Sequence, residues 1–357
     1  MVIDKRWERL GDLLVNYSAA VRPGEKVMIA FVELETYPLV QVVYQACILA
    51  GAFPQVQFLS EELNRLVLAH GSLGQIGWTP EIEAYGMEWA DVYFGLRGAH
   101  NLDVFWNIPA EKLALFRKAA GKISSLRWQK TRWCVVRVPN APLAQQAGID
   151  EGTLTDMFFN ACFLDWPTVR QEWQRWADTL NRGKSIRLLG KGTDLVFSTE
   201  GRTWDVADGH SNMPDGEIMT SPVESTLDGT IYFEFPGVLA GRMMEDICLH
   251  WEGGKLVEAS SSTNQDFLRS VLQTDAGASR VGEFAIGANP EVSYFCKDIL
   301  LDEKIGGTVH IALGRAYPKV GGTNQSAIHW DIVKDMRQEG EIYMDGKLIF
   351  KNGKVLL

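Results

Sequence analysis

The 357-residue chain has few histidines, six, and few cysteines, five. Cys47, Cys134, Cys162, Cys248 and Cys296 are scattered, odd in number and never spaced as Cys-x-x-Cys. A disulfide framework and a thiolate metal or redox motif are therefore not expected. The five read as reduced, mostly buried thiols, which gives a cytoplasmic expectation. Positive charge is also short: 35 Lys and Arg face 45 Asp and Glu, a net charge of −10. That balance argues against a nucleic acid or an anionic membrane as partner. No window holds the roughly 18 apolar residues of a membrane span. The amino-terminal stretch, charged from Asp4-Lys5-Arg6 onward, lacks the apolar core of a signal peptide. No Gly-x-Gly-x-x-Gly follows the first expected strand, so a dinucleotide site is not expected there. Gly190-Lys191-Gly192-Thr193 lacks Walker spacing and reads as a structural turn rather than a phosphate site.

What is present is ordinary globular material, 46% hydrophobic and 22% charged. The length implies two domains. Trp7, Leu10, Leu13, Leu14 and Tyr17 mark an amphipathic helix over residues 4–20. An apolar run at 26–31 reads as a buried strand, 37–50 as a helix capped by Gly51, and 56–58 as the next strand. Strand, helix, strand in so short a span implies a parallel sheet. Helices at 60–70, 80–89 and 109–121 and strands at 91–94 and 132–136 continue the alternation. The first half is thus an open, mostly parallel α/β domain, placed at 1–183. Trp166, Val169, Trp173, Trp176 and Leu180 form one helical stripe, which reads as core or interface. After Gly183 the strands become short and close: 185–189, 194–198, 230–235, 247–251, 307–313, 341–343 and 347–351. Asp345-Gly346 and Asn352-Gly353 are hairpin signals. Residues 184–357 are therefore expected to form an α+β domain rich in antiparallel strands, and to carry the site.

The chemistry concentrates in that second domain. Residues 310–331 hold His310, His329 and Asp331, with Tyr317 between the histidines. Histidine with carboxylate is a common ligand set for zinc, cobalt, manganese or iron. In His329-Trp330-Asp331 on a strand, both polar side chains share one face and Trp330 points the other way. Pro214-Asp215-Gly216 is a turn able to present Glu217 at a strand start. Glu283 sits between Gly282 and Phe284, where an unpaired buried carboxylate is costly and a metal relieves the cost. Glu217, Glu283, His310, His329 and Asp331 together supply three carboxylates and two imidazoles. Two dications about 3.5–4 Å apart need such a set. Singly, each residue has a plainer reading as a core or surface side chain. His210, next to Asp208, competes for a ligand place. His70, His100 and His250 read as surface or packing residues.

The joint pattern resembles the thermophilic metallo-aminopeptidase family, of the aminopeptidase T and S type. The segments carrying it are Pro214-Asp215-Gly216-Glu217 with Pro222, Gly282-Glu283 with Gly287, His310-Ile311-Ala312-Leu313-Gly314 with Tyr317, and Asn324 and Ser326 before His329-Trp330-Asp331. They occur in the family's order. The match is strong over the second domain and weaker over the first, where Gly24-Glu25-Lys26-Val27 and Ala50-Gly51-Ala52 carry it. The resemblance implies that Glu217, Glu283, His310, His329 and Asp331 bind two divalent ions (Zn, Co, Mn or Mg). It implies Tyr317 as the catalytic tyrosine, a peptide or amide substrate, and a homodimer. Glu283 is the expected carrier of the proton from the attacking water to the leaving amine, and Tyr317 the expected donor to the oxyanion.

A branch of the same fold resembles dihydroxypyridine ring-cleaving dioxygenases. Its single non-haem Fe(II) would sit on His310 or His329 with Asp331. A metal-binding protein without turnover is the third reading. The two glutamates favour the hydrolase, because one iron has no need of them.

Overall fold

The computed structural model describes residues 4–101 and 103–357. Residues 1–3, which open the charged amino-terminal segment, lie outside the described residues, as does Leu102. The chain divides into two compact units. The first is Met1–Phe163 with Gly209–Pro214; the second is Leu164–Asp208 with Asp215–Leu357. The helix break at 181–184 lies within the second unit.

The first unit is built on a parallel sheet. Its strands run in the order Phe53–Leu59, Lys26–Val32, Val92–Arg97, Arg132–Arg137, and the two-residue Asn212–Met213. The central Val92–Arg97 strand is buried at every residue except its last. A parallel sheet covered on both faces requires such an apolar run. Helix Tyr37–Leu49 ends where expected: Gly51 takes φ 76°, and its N–H and that of Ala52 donate to Ile48 O and Cys47 O. The first helix covers Lys5–Leu13 and continues as a π-helical turn, Leu14–Ser18. The helix expected at 109–121 runs on to Lys130. Helices Ala141–Ala147 and Glu151–Cys162 were not anticipated, yet their start signals are visible. Asn140 accepts from Leu143 N at 3.1 Å and Asp150 from Thr153 N at 2.9 Å.

The second unit opens with helix Trp166–Leu180, which buries Trp166, Trp173 and Leu180 and half-buries Val169 and Trp176. An eight-stranded antiparallel sheet follows, ordered Lys255–Ser260, Cys248–Glu252, Asp228–Tyr232, Thr193–Ser198, Ser185–Gly190, Glu341–Met344, Lys347–Lys351, Lys354–Val355. Gly190-Lys191-Gly192-Thr193 is the turn between two of these strands, with Gly192 at φ 58°. Asp345-Gly346 and Asn352-Gly353 all have positive φ, as hairpin turns of this type require.

A second sheet of this unit positions the chemistry. Its order is His329–Asp335, Thr308–Gly314, Val281–Gly287, Glu217–Thr220, Asp205–Ala207, all antiparallel. Phe284, Ile286, Val309, Ile311, Leu313, Trp330 and Ile332 alternate onto one face and are buried. Phe284 meets Phe197 and Trp204 at centroid distances of 5.0 and 5.9 Å. Burying each of these large side chains contributes roughly 1.5–3 kcal/mol. The other face is left for polar residues.

Candidate metal centre

Strand register brings the five residues together. Glu283 pairs with Ala312, and Ala312 with Asp331; Ala285 pairs with His310; Gly287 pairs with Glu217; Gly314 pairs with His329. Paired residues share a face, and so do residues two apart. Glu217, Glu283, His310, His329 and Asp331 therefore project from one side of three central strands and their neighbour. Ala285, Gly287, Ala312 and Gly314 lie between them, so little side chain competes for the space above the sheet. A bulge between Val281 and Glu283 sets the aim of the glutamate. Gly282 permits it: a Cβ there would lie 2.5 Å from the carbonyl oxygens of Gly314 and Arg315.

Two ligand groups result, and they share Glu283. Glu217, Glu283 and His310 each offer one atom within 4.8 Å of the others, and so do Glu283, His329 and Asp331. His310 Nε2 lies 3.3 Å from Glu217 Oε2 and 3.6 Å from Glu283 Oε1. His329 Nε2 lies 3.2 Å from Glu283 Oε2 and 3.5 Å from Asp331 Oδ2. Each oxygen of Glu283 thus faces a different imidazole. His329 is fixed from behind: its Nδ1 is 2.7 Å from the Arg315 carbonyl oxygen. That bond makes Nδ1 a donor, so that in the neutral ring Nε2 is the lone-pair nitrogen toward the carboxylates.

The donor set fits divalent cations. Glu217 Oε2, both ring nitrogens of His310 and Asp331 Oδ1 are buried without a hydrogen-bond partner. Buried polar atoms are normally satisfied, and of these, His310 Nε2 and Glu217 Oε2 lie 3.3 Å apart beside Glu283, where a cation would satisfy both. With their own charges alone, the groups polarise one another strongly. Burial lowers the basicity of the His310 and His329 rings, but the surrounding carboxylates reverse this and raise them to about 9 and about 10. Burial pushes Glu283 up, yet the two imidazoliums hold it down at about 2. Tyr317 is raised, first by burial and then by Glu283 and Asp331, so it remains a phenol. Its ring meets that of His329 edge-on at 4.9 Å, which places the tyrosine beside the cluster.

Sequence reasoning missed two residues here. Glu303 joins His310 and Asp331 in a third group of possible donors. Lys304 is fully buried and contacts Glu217, Glu303 and Asp215 at 2.7, 2.7 and 3.2 Å. The available signal was the run Asp302-Glu303-Lys304 immediately before an apolar strand, where charges need partners. His210, the expected competitor, lies in the first unit against Tyr17, with centroids 4.7 Å apart. His250 bonds Thr230 Oγ1 at 2.8 Å, and the exposed His100 pairs with Glu35 at 2.8 Å.

The model of the thermophilic metalloprotease family, M29, matches residues 3–355. The chain belongs to that family. It is accordingly a hydrolase of a metalloprotease class, and the ring-cleaving alternative receives no support. Among curated relatives, Aminopeptidase 2 of Geobacillus stearothermophilus is 23% identical, covering 98% of this chain and 97% of its own. Aminopeptidase T of Thermus thermophilus is 25% identical over 95% of each chain. Aminopeptidase AmpS of Bacillus subtilis is 26% identical over 71% of this chain and 74% of its own. The solved structure of wild-type AmpT from Thermus thermophilus superposes with a TM-score of 0.89 at 24% identity, over all of both chains. That likeness establishes the fold, with its parallel amino-terminal sheet and antiparallel carboxy-terminal strands.

Proposed function

We propose that this M29 protein is an aminopeptidase that hydrolyses the amino-terminal peptide or amide bond of a small substrate at a centre of two divalent ions. The observation that carries the reading is Glu283, whose two oxygens face two separate histidine-containing groups. A carboxylate so placed suits a bridging ligand. Glu217 and His310 complete one set, and His329 and Asp331 the other. Charge supports the count. Asp215, Glu217, Glu283, Glu303 and Asp331 are formally five negative charges, and Lys304 removes one; the four remaining equal the charge of two dications.

Divalent ions bound here supply a Lewis acid for the carbonyl and bring the pKa of a coordinated water toward neutrality. The chain's own groups do the rest. Tyr317, protonated and half-buried, donates to the oxygen that becomes anionic as the carbonyl is attacked. Glu283 would take the water's proton and pass it to the leaving amine through whichever of its oxygens is released from an ion during turnover. The substrate's free amino group is a cation, and the carboxylates of the cleft are its natural partners, which favours cleavage at the amino end.

The first unit supplies an argument for a homodimer. Its edge strand exposes Phe53, Val56 and Phe58, and the preceding helix exposes Ile48 and Leu49. An apolar sheet edge of this kind is normally covered. No helix among the described residues is long and apolar enough to cross a membrane.

The test is metal analysis of the purified protein together with hydrolysis of aminoacyl amides under zinc, cobalt, manganese or magnesium. Two ions per chain and anaerobic turnover are expected. One tightly held iron, or no turnover with any of these metals, removes the reading.

A further inference from the structure

Lys304 is a fully buried lysine of the second unit. A lysine with no solvent exposure loses the hydration of its ammonium, and such charges are rare unless paired. Burial works to push its amine down, but Glu217, Glu303 and Asp215 raise it well above the usual lysine range, so it stays charged. Replacing it by an apolar residue would remove one buried charge and strand three carboxylates. The arrangement therefore points to a purpose beyond packing.

Its geometry relative to Glu217 is specific. Lys304 Nζ lies 2.7 Å from Glu217 Oε1, a charge-assisted hydrogen bond. The other oxygen, Oε2, has no hydrogen-bond partner and faces His310 Nε2 at 3.3 Å. The ammonium thus occupies one carboxylate oxygen and turns the other into the cluster. It also holds Glu303 and Asp215 on the same side. The backbone keeps the ammonium there: Lys304 N donates to Leu301 O at 3.1 Å, and its carbonyl accepts from Asn289 N at 3.1 Å. Asn289 Nδ2 in turn donates to Asp215 O at 2.8 Å, tying the turn before Glu217 to the lysine's segment. The second donor group, Glu283 with His329 and Asp331, has no direct contact with Lys304 among those described and is reached only through Glu303, which groups with Asp331.

We propose that Lys304 is a positioning residue that makes Glu217 a one-oxygen ligand and so sets the affinity of the Glu217–His310 half of the centre, with a smaller effect on the His329–Asp331 half, whose own ligands it does not touch. This rests on the metal-centre reading above. Without the ammonium, Glu217, Glu303 and Asp215 repel one another, and Glu217 no longer presents a fixed anionic oxygen. Outer partners of metal ligands are typically worth about 10- to 100-fold in metal affinity.

The experiment is calorimetric titration of chelator-stripped protein with zinc, comparing wild type, K304M, K304Q and E217Q, with thermal melts as a fold control. Wild type is expected to take two ions. K304M is expected to reproduce E217Q although Lys304 donates to no metal: one binding event retained within about threefold, the other weakened at least about tenfold. K304Q keeps a shorter polar donor without the charge. It replaces K304M in the comparison if the methionine variant does not fold, with the same expected split. Two events of unchanged or increased affinity in the folded variant overturn the proposal. Equal weakening of both events also overturns it, because Lys304 would then be a general structural prop. Absence of zinc binding by wild type instead removes the metal-centre reading, so the two failures are distinguishable.

Discussion

His329 Nδ1 lies 2.7 Å from the main-chain oxygen of Arg315. The two residues belong to opposite ends of the loop that carries Tyr317, and Arg315 N donates back to Ile328 O at 2.7 Å. The loop is thereby closed at its base, and the same contact sets the tautomer of the histidine. His329→Gln breaks this and removes one donor of the His329–Asp331 group. The expected result is loss of one of two bound ions, and activity reduced by more than the about 10- to 100-fold typical of an outer partner. Glu283→Gln is expected to lose both ions, since Glu283 belongs to both groups. Elemental analysis of the two purified variants distinguishes a shared ligand from a separate one.

Tyr317→Phe removes only a hydroxyl. If the phenol donates to the oxyanion, kcat falls by about 10²–10³-fold while KM changes little. Metal content and melting temperature should match wild type, because the ring contact with His329 is kept. An unchanged kcat assigns the residue to packing.

Much of the centre was legible because its residues depart from local expectation. Glu217, Glu283, His310, His329 and Asp331 are polar groups on strands whose alternate positions are apolar, and His-x-Asp spacing already implies a common face. What lay beyond reach was long-range. The bulge at Gly282 depends on the close approach of the carbonyl oxygens of Gly314 and Arg315. The meeting of Lys304 with Glu217 joins residues 87 apart in sequence. In the fold, helix Ala141–Ala147 is too short for a clear apolar period, whereas Glu151–Cys162 does carry one, Leu154, Met157, Phe158, Ala161 and Cys162, behind its Asp150 cap. Strand order, too, follows from tertiary pairing, which residue patterns do not specify.

Asp275 gives a pH prediction away from the ligands. It accepts from Ala327 N at 2.7 Å, Gly277 N at 2.9 Å and Ser326 Oγ at 2.9 Å, anchoring the chain just before His329. The Ala327 bond is the first cause that holds its carboxyl below the usual aspartate range. A folded pKa below the unfolded one means the stabilisation is fully present above the unfolded value of about 3.9. It is lost as pH falls through the folded value. Asp275→Asn should therefore be less stable than wild type at pH 7, with the gap narrowing toward pH 3. Urea midpoints measured across that range check it; a gap that stays constant or widens in acid refutes it.

Metal removal should expose the charge on the imidazoles. Without ions, the carboxylates raise His310 to about 9 and His329 to about 10, so both rings are protonated at pH 7. Rebinding a divalent ion requires the neutral ring. Each histidine must then give up a proton, and metal affinity rises with pH until the rings titrate. Calorimetric rebinding at pH 7 in buffers of different ionisation enthalpy should show a buffer-dependent heat, corresponding to about two protons from the rings when both groups fill, and a further one from Glu217, whose carboxyl burial raises to about 8. The same titration on His329→Gln should release about one proton fewer. A heat independent of buffer would mean that no proton leaves on binding, so that the rings are already neutral and the carboxylates already ionised before metal arrives.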